Sequence, residues 1–125
     1  MPADHKIRIA MHHLEADNIE RGEELLLAAV AQAKAEGDAY ALVRANYNLG
    51  DLYFWCQVWD AAREHFEQVM ELTDAQLEEF DDLFDDERRD TRRYLEELAR
   101  PVDPERRAEL WRAIHQVGNS DDGGD

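Results

Sequence analysis

The sequence predicts an all-α fold built from antiparallel helical hairpins. Three observations carry that expectation. Apolar residues recur at three- and four-residue steps through most of the chain, so each run lines one side of a helix. The interruptions between runs are a few residues long, which makes successive helices antiparallel and brings them into contact. Residues that end and start helices, Gly37-Asp38 and Asp103-Pro104-Glu105 among them, stand at the interruptions.

Asp4 is placed to cap a first helix, in which Ile7, Met11 and Leu14 share a face with Ala10 beside them. Asp17 and Asn18 predict a turn. A second helix follows over about Glu20 to Glu36, and Gly37 ends it. Asp38 caps a third, whose apolar face carries Leu42, Ala45, Leu49, Leu52 and Cys56. Asp60 opens a fourth, with Ala62, Phe66, Val69 and Met70 on one side. Gly50 inside a helix costs about 1 kcal/mol relative to alanine. A close crossing of Gly50 and Ala62, with Tyr53 and Phe66 filling the space beside them, would compensate.

Thr73-Asp74-Ala75-Gln76 reads as a capping box. Leu77, Phe80, Leu83 and Phe84 then make an apolar face, Asp85 to Arg93 is almost wholly polar, and Tyr94, Leu95 and Leu98 resume the pattern. The spacing favours one continuous or weakly broken helix here over a break near Asp86 to Arg89. Pairs of Asp85 with Arg89, Arg92 with Glu96 and Arg93 with Glu97 would add a few tenths of a kcal/mol each. Pro101 ends that segment and Asp103-Pro104-Glu105 starts the last helix, with Leu110, Trp111, Ile114 and Val117 as its apolar face. Gly118 is expected to stop it. The expected organisation is one helical domain over 1–118, followed by a disordered acidic tail over 119–125.

Asn46, Leu49, Gly50, Tyr53, Ala62 and Phe66 resemble the tetratricopeptide repeat family, whose pattern runs W-x2-L-G-x2-Y, then A-x3-F, then P. Asn46 occupies the tryptophan position and Asp74 the proline position, and the resemblance covers about 43–76. Gly22, Leu26 and Ala29 repeat the spacing of Ala62, Phe66 and Val69, and Ile19 precedes its helix as Trp59 does. The first two helices therefore read as a degenerate earlier copy. Two registers are open for its first helix, one placing His13 where Tyr53 stands and one following Ile7, Met11 and Leu14. The resemblance implies a short solenoid of stacked hairpins with a C-terminal capping helix.

The chain of 125 residues carries 14 basic and 30 acidic side chains, a net charge of −16. That balance argues against a nucleic-acid partner, whose phosphates need clustered cations. It favours a basic protein partner or simply high solubility. Lysine is confined to Lys6 and Lys34, as suits either a salt-loaded cytoplasm or an arginine-biased genome. Cys56 is the sole cysteine, so no intrachain disulfide forms, and its place on the apolar stripe predicts a core residue in a reducing compartment. No apolar leader follows Met1, and the longest apolar run, Leu25 to Ala31, is too short to span a membrane. A cytoplasmic protein is expected.

Tyr40, Arg44, Tyr47, Asp51 and Phe54 recur along one line of the third helix. The resemblance implies that the first helix of a repeat lines a concave groove that holds partner peptides, and Arg44, Tyr47, Asp51 and Phe54 fall at its positions. Trp55 and Trp59 flank the following turn, and Trp55 is the candidate contact. The expected function is an adaptor that binds a peptide or helical segment of a basic partner at Arg44, Tyr47, Asp51, Phe54 and Trp55. The alternatives are packing of the first helix over the tyrosines, and a self-assembling module, since two repeats leave an apolar face open. Some members grip a C-terminal carboxylate with several Lys, Arg and Asn side chains. Arg44, Asn46 and Asn48 are present here, but the lysines are missing. No cofactor, metal or catalysis is expected. His12 and His13 point about 100° apart, His65 and His115 lack partners at ligand spacing, and Asp81, Asp82, Asp85 and Asp86 lack a calcium-loop glycine. No phosphate-binding or nucleophile motif occurs.

Overall fold

Seven helices follow one another, with no strand among the described residues: α1 Ala3–Glu15, α2 Ile19–Glu36, α3 Ala39–Trp55, α4 Trp59–Ala75, the single turn α5 Leu77–Phe80, α6 Asp85–Leu98 and α7 Pro104–Gly123. The computed structural model describes the backbone of residues 1–123 and the side chains of residues 1–116. α1 packs on α2 and α3 on α4 as antiparallel hairpins, and α2 packs on α3 to stack them. α6 lies against α4, and α7 against both α6 and α3. The fold is all-α and repeat-like. No described helix is long and apolar enough to cross a membrane.

The repeat is plainest in the backbone of the two hairpin turns. Asp17 at φ 64° and Gln57 at φ 65° both take the left-handed conformation. The amides of Ala16, Asp17, Asn18 and Gly22 donate to the carbonyls of His12, Leu14, His13 and Asn18. Forty residues on, those of Cys56, Gln57, Val58 and Ala62 donate to Leu52, Phe54, Tyr53 and Val58. This correspondence fixes the register of α1. Of the two registers left open by the sequence it selects the one that places His13 where Tyr53 stands, and Ile7, Met11 and Leu14 then fall where Tyr47, Asp51 and Phe54 do. In the second helices Gly22, Leu26, Ala29 and Ala33 match Ala62, Phe66, Val69 and Thr73, and all eight are buried.

Small residues sit at both crossings. A Cβ on Gly22 would lie 2.6 Å from Leu14 Cγ and 3.3 Å from the Ala10 carbonyl. A Cβ on Gly50 would lie 2.7 Å from Cε1 and 2.8 Å from Cδ1 of Phe66. The group nearest Gly50 is therefore the Phe66 ring rather than Ala62, because the ring spreads over the gap that the missing side chain leaves.

Helix boundaries follow the expected chemistry at several ends. Gly37 closes α2 at φ 66°, where a side chain would be strained. The Asp38 carboxylate accepts from the Ala41 amide at 3.0 Å and caps α3. Asp103 accepts from the Arg106 amide at 3.2 Å and starts α7. Others differ. α1 begins at Ala3 after Pro2, and Asp4 is in its first turn instead of at its cap. Cys56 is exposed, since α3 ends at Trp55 and the turn carries the thiol out of the stripe. α7 continues through Gly118 to Gly123. The expected tail, 119–125, has its side chains outside the described residues, together with all of 124 and 125.

The largest departure lies between α4 and α6. Thr73 does not cap a new helix; it is buried within α4, where its hydroxyl donates to the Val69 carbonyl at 2.8 Å. The long helix expected over this segment is broken at 76–84, ahead of the polar stretch, with Asp81 at φ 52°. Arg88 reaches back from α6 to the Thr73 hydroxyl and to Asp74 at 2.7 Å, tying the new helix to the end of the old one. Arg89 pairs with Asp86 and Asp90, and Glu97 with Arg106, in place of the expected ion pairs. Of the expected apolar face, Phe84 is buried with Val43 and Val69, whereas Leu77 and Leu83 are exposed.

Gly50→Val is expected to lower Tm by roughly 5–10 °C, since overpacking costs about 1–3 kcal/mol. The Phe66 ring cannot swing away, being buried and stacked on Tyr94 at 4.5 Å. Gly22→Ala should cost much less, because Leu14 is half-buried and can rotate. Calorimetric melting of both variants checks this, and equal Tm values for Gly50→Val and wild type would refute the crowding.

Candidate functional site

The line of α3 that carries Arg44, Tyr47, Asp51 and Phe54 is met by four other helices, α1, α4, α6 and α7. Arg44 Nη1 donates to Asp4 Oδ1 of α1 at 2.6 Å, and its guanidinium lies 5.7 Å from the Tyr40 ring. The Tyr47 hydroxyl donates to Asp90 Oδ2 of α6 at 3.3 Å. Asp51 Oδ1 accepts from the Tyr94 hydroxyl at 2.6 Å, and its two oxygens lie 2.9 and 3.0 Å from His115 Nε2 of α7. Phe54 is 2% exposed, held between Tyr94 at 4.6 Å and Trp59 at 5.3 Å. Phe54 therefore acts through the core it anchors. Trp55, at 54% exposed, is the open member of the five. Tyr47 is covered by α6, not by α1 as the sequence allowed; α1 reaches this line through Asp4.

Burial, then the charges of Asp51 and Asp90, push the Tyr47 phenol well above its ordinary value. Burial, then the charge of Asp51, does the same to Tyr94. Both hydroxyls thus stay protonated and donate to the two carboxylates. A second polar side chain is satisfied inside the core of α3. Asn46 is buried, and its amide nitrogen donates to the Leu42 carbonyl at 2.9 Å. Its oxygen faces His65 Nδ1 at 2.8 Å, so that nitrogen carries the proton. Burial lowers the His65 pKa, and the ring stacks on Tyr53 as a neutral group. Among the described residues, no three His, Cys, Asp or Glu side chains are placed to hold a metal.

What remains open beside α3 is a cavity of about 350 Å³ toward the turn end of the hairpins. Met11, Leu14, Ile19, Leu52, Trp55 and Trp111 form its apolar wall. Glu15, Asp17 and Asp51 supply carboxylates, and Asn48 and His115 complete it. The structure thus brings Asp51 and Trp55 of the expected set to one cavity and leaves Arg44 and Tyr47 outside it. Met11 and Leu14 are visible in sequence as an apolar stripe. Trp111 is visible as part of the last helix's apolar face and Glu15 as a polar residue at the end of α1, but neither they nor His115 signal this meeting place, because α7 reaches it only through tertiary packing.

The His115–Asp51 contact makes the docking of α7 depend on pH. Burial acts to lower the His115 pKa, but the hydrogen bond to Asp51 and the charges of Asp51 and Asp90 outweigh it, and the net shift is upward from 6.5. A raised histidine gives stability that is complete below its unfolded value and is lost as pH rises through the folded one. The Tm advantage of wild type over His115→Gln should therefore be largest near pH 6 and shrink by pH 8.5. A constant difference between the two melting curves would contradict the linkage. Comparison with protein-family models, with curated proteins and with solved structures finds no match to this chain.

Proposed function

We propose that the chain is a non-catalytic, tetratricopeptide-like cytoplasmic adaptor that holds a basic, partly apolar peptide segment of a protein partner beside α3. The observation that carries this reading is the cavity with an apolar wall and three carboxylates, Glu15, Asp17 and Asp51. A lysine or arginine side chain has the matching form, an apolar stem with a cationic head. Its stem would lie on Met11, Leu14 and Leu52, and its head would meet the carboxylates. The exposed indole of Trp55 adds a face on which a cation is favoured. A net charge of −16 draws basic partners and repels phosphate backbones. Within this reading Asp51 has two claimants, His115 from the fold and a cation from the partner.

A second reading, self-association, has its own support in Leu77 of α5 and Leu83 just after it, which are 49% and 52% exposed. Light scattering separates the two: a concentration-dependent dimer abolished by Leu77→Glu with Leu83→Glu favours assembly.

For the adaptor reading, a fluorescein-labelled peptide of alternating Lys and Leu should bind, and its Glu-Leu counterpart should not. Glu15→Lys with Trp55→Ala should weaken binding by roughly tenfold or more, about 1.4 kcal/mol, while circular dichroism stays unchanged. Equal polarisation curves for the variant and wild type would remove the site.

A further inference from the structure

On the other side of Trp55 lies a second cavity, of about 410 Å³, between the α3–α4 turn and the first half of α7. Its wall contains all three tryptophans of the chain, Trp55, Trp59 and Trp111, with Arg107 and Arg112. None of the 30 acidic residues contributes to it. In so acidic a protein, a wall with two cations, four aromatics and no carboxylate marks a place selective for negative charge.

Arg107 is the second, independent sign. It is 1% exposed, and its guanidinium lies 4.5 Å from the Trp59 ring. Nη2 donates to the carbonyls of Glu97 at 3.3 Å and Arg100 at 3.1 Å. Nε and Nη1 have no acceptor, and neither has the Trp111 indole nitrogen. No carboxylate pairs with Arg107 among the described residues. A buried cation held only by carbonyls and a ring face makes no ion pair, and an anion in the cavity would give it one. Arg112 is exposed and makes no ion pair among the described residues, so its fork is open to a ligand.

We propose that this cavity binds a small free aromatic acid with a single carboxylate. The ring rests on the indoles of Trp55 and Trp111, and the carboxylate faces Arg112 within the field of Arg107. Three indoles make the wall largely aromatic, which suits a ring carrying a single carboxylate better than a bare phosphate. The site does not rest on the adaptor reading. Trp55 and Trp111 border both cavities, but Arg107 and Arg112 line only this one, and Glu15 only the other.

Because every tryptophan lines this wall, intrinsic fluorescence reports on it directly. Titration of the full chain with 3-phenylpropionate should change tryptophan emission saturably, with half-saturation below about 1 mM. 3-Phenylpropanamide, of the same shape without the charge, should bind at least tenfold more weakly. Arg112→Gln, at an exposed position, should weaken the acid about tenfold, leave the amide unchanged and keep the wild-type melting curve. Glu15→Lys should leave the acid titration as in wild type. Absence of saturation, equal binding of acid and amide, or equal competition by inorganic phosphate would each overturn the proposal. So would a peptide ending in phenylalanine that binds tighter than the free acid.

Discussion

The ring of Phe66 joins three helices. It fills the space left by the missing side chain of Gly50 on α3, stacks on Tyr94 of α6 at 4.5 Å, and meets the Tyr47 ring at 6.1 Å in an edge arrangement. Each contact limits the others. A ring pressed on a glycine backbone cannot tilt without leaving Tyr94, and Tyr94 in turn is held by Phe54. Close-packed interiors pass such limits on because no void exists to absorb them. The hairpin α3–α4 and the helix that follows it are therefore positioned by one side chain.

A polar layer lies directly on this aromatic one. Asp51 and Asp90 would repel each other, yet both are kept inside the molecule by donors: Tyr94 and His115 for the first, Tyr47 and Arg89 for the second. Partly buried carboxylates are tolerable when their lone pairs are filled. The arrangement orients α6 and α7 over α3 more specifically than apolar packing alone would. It also decides which part of α3 remains open, namely the end near Trp55.

Much of the architecture was legible in the chain because hairpins are local. The spacing of Ala62, Phe66 and Val69, its echo in Gly22, Leu26 and Ala29, and the glycine and aspartates at the helix ends all speak through neighbours a few residues apart. The segment after α4 was not legible for the opposite reason. Thr73 has the side chain of a cap, but its hydroxyl serves the carbonyl of Val69 and receives Arg88 from another helix. The polar stretch, expected as the solvated middle of one long helix, opens a helix of its own, in which Asp90 and Thr91 are buried by tertiary contacts. Along α3, spacing placed Arg44, Tyr47, Asp51 and Phe54 on one line, as they are. It could not reveal that α6 and α7 would meet that line, nor that Asn46 would find its partner in His65.

The left-handed residues of the two turns bear on more than chain reversal. A side chain in that conformation costs of order 1–2 kcal/mol where glycine costs none, yet Asp17 and Gln57 both occupy it. Asp17 borders the cavity with carboxylates, and Gln57 borders the one with arginines. The same backbone device thus stands as a gatepost at two doorways of opposite polarity. Repetition has given this chain a pair of thresholds whose chemistry can be altered one at a time without redrawing the frame.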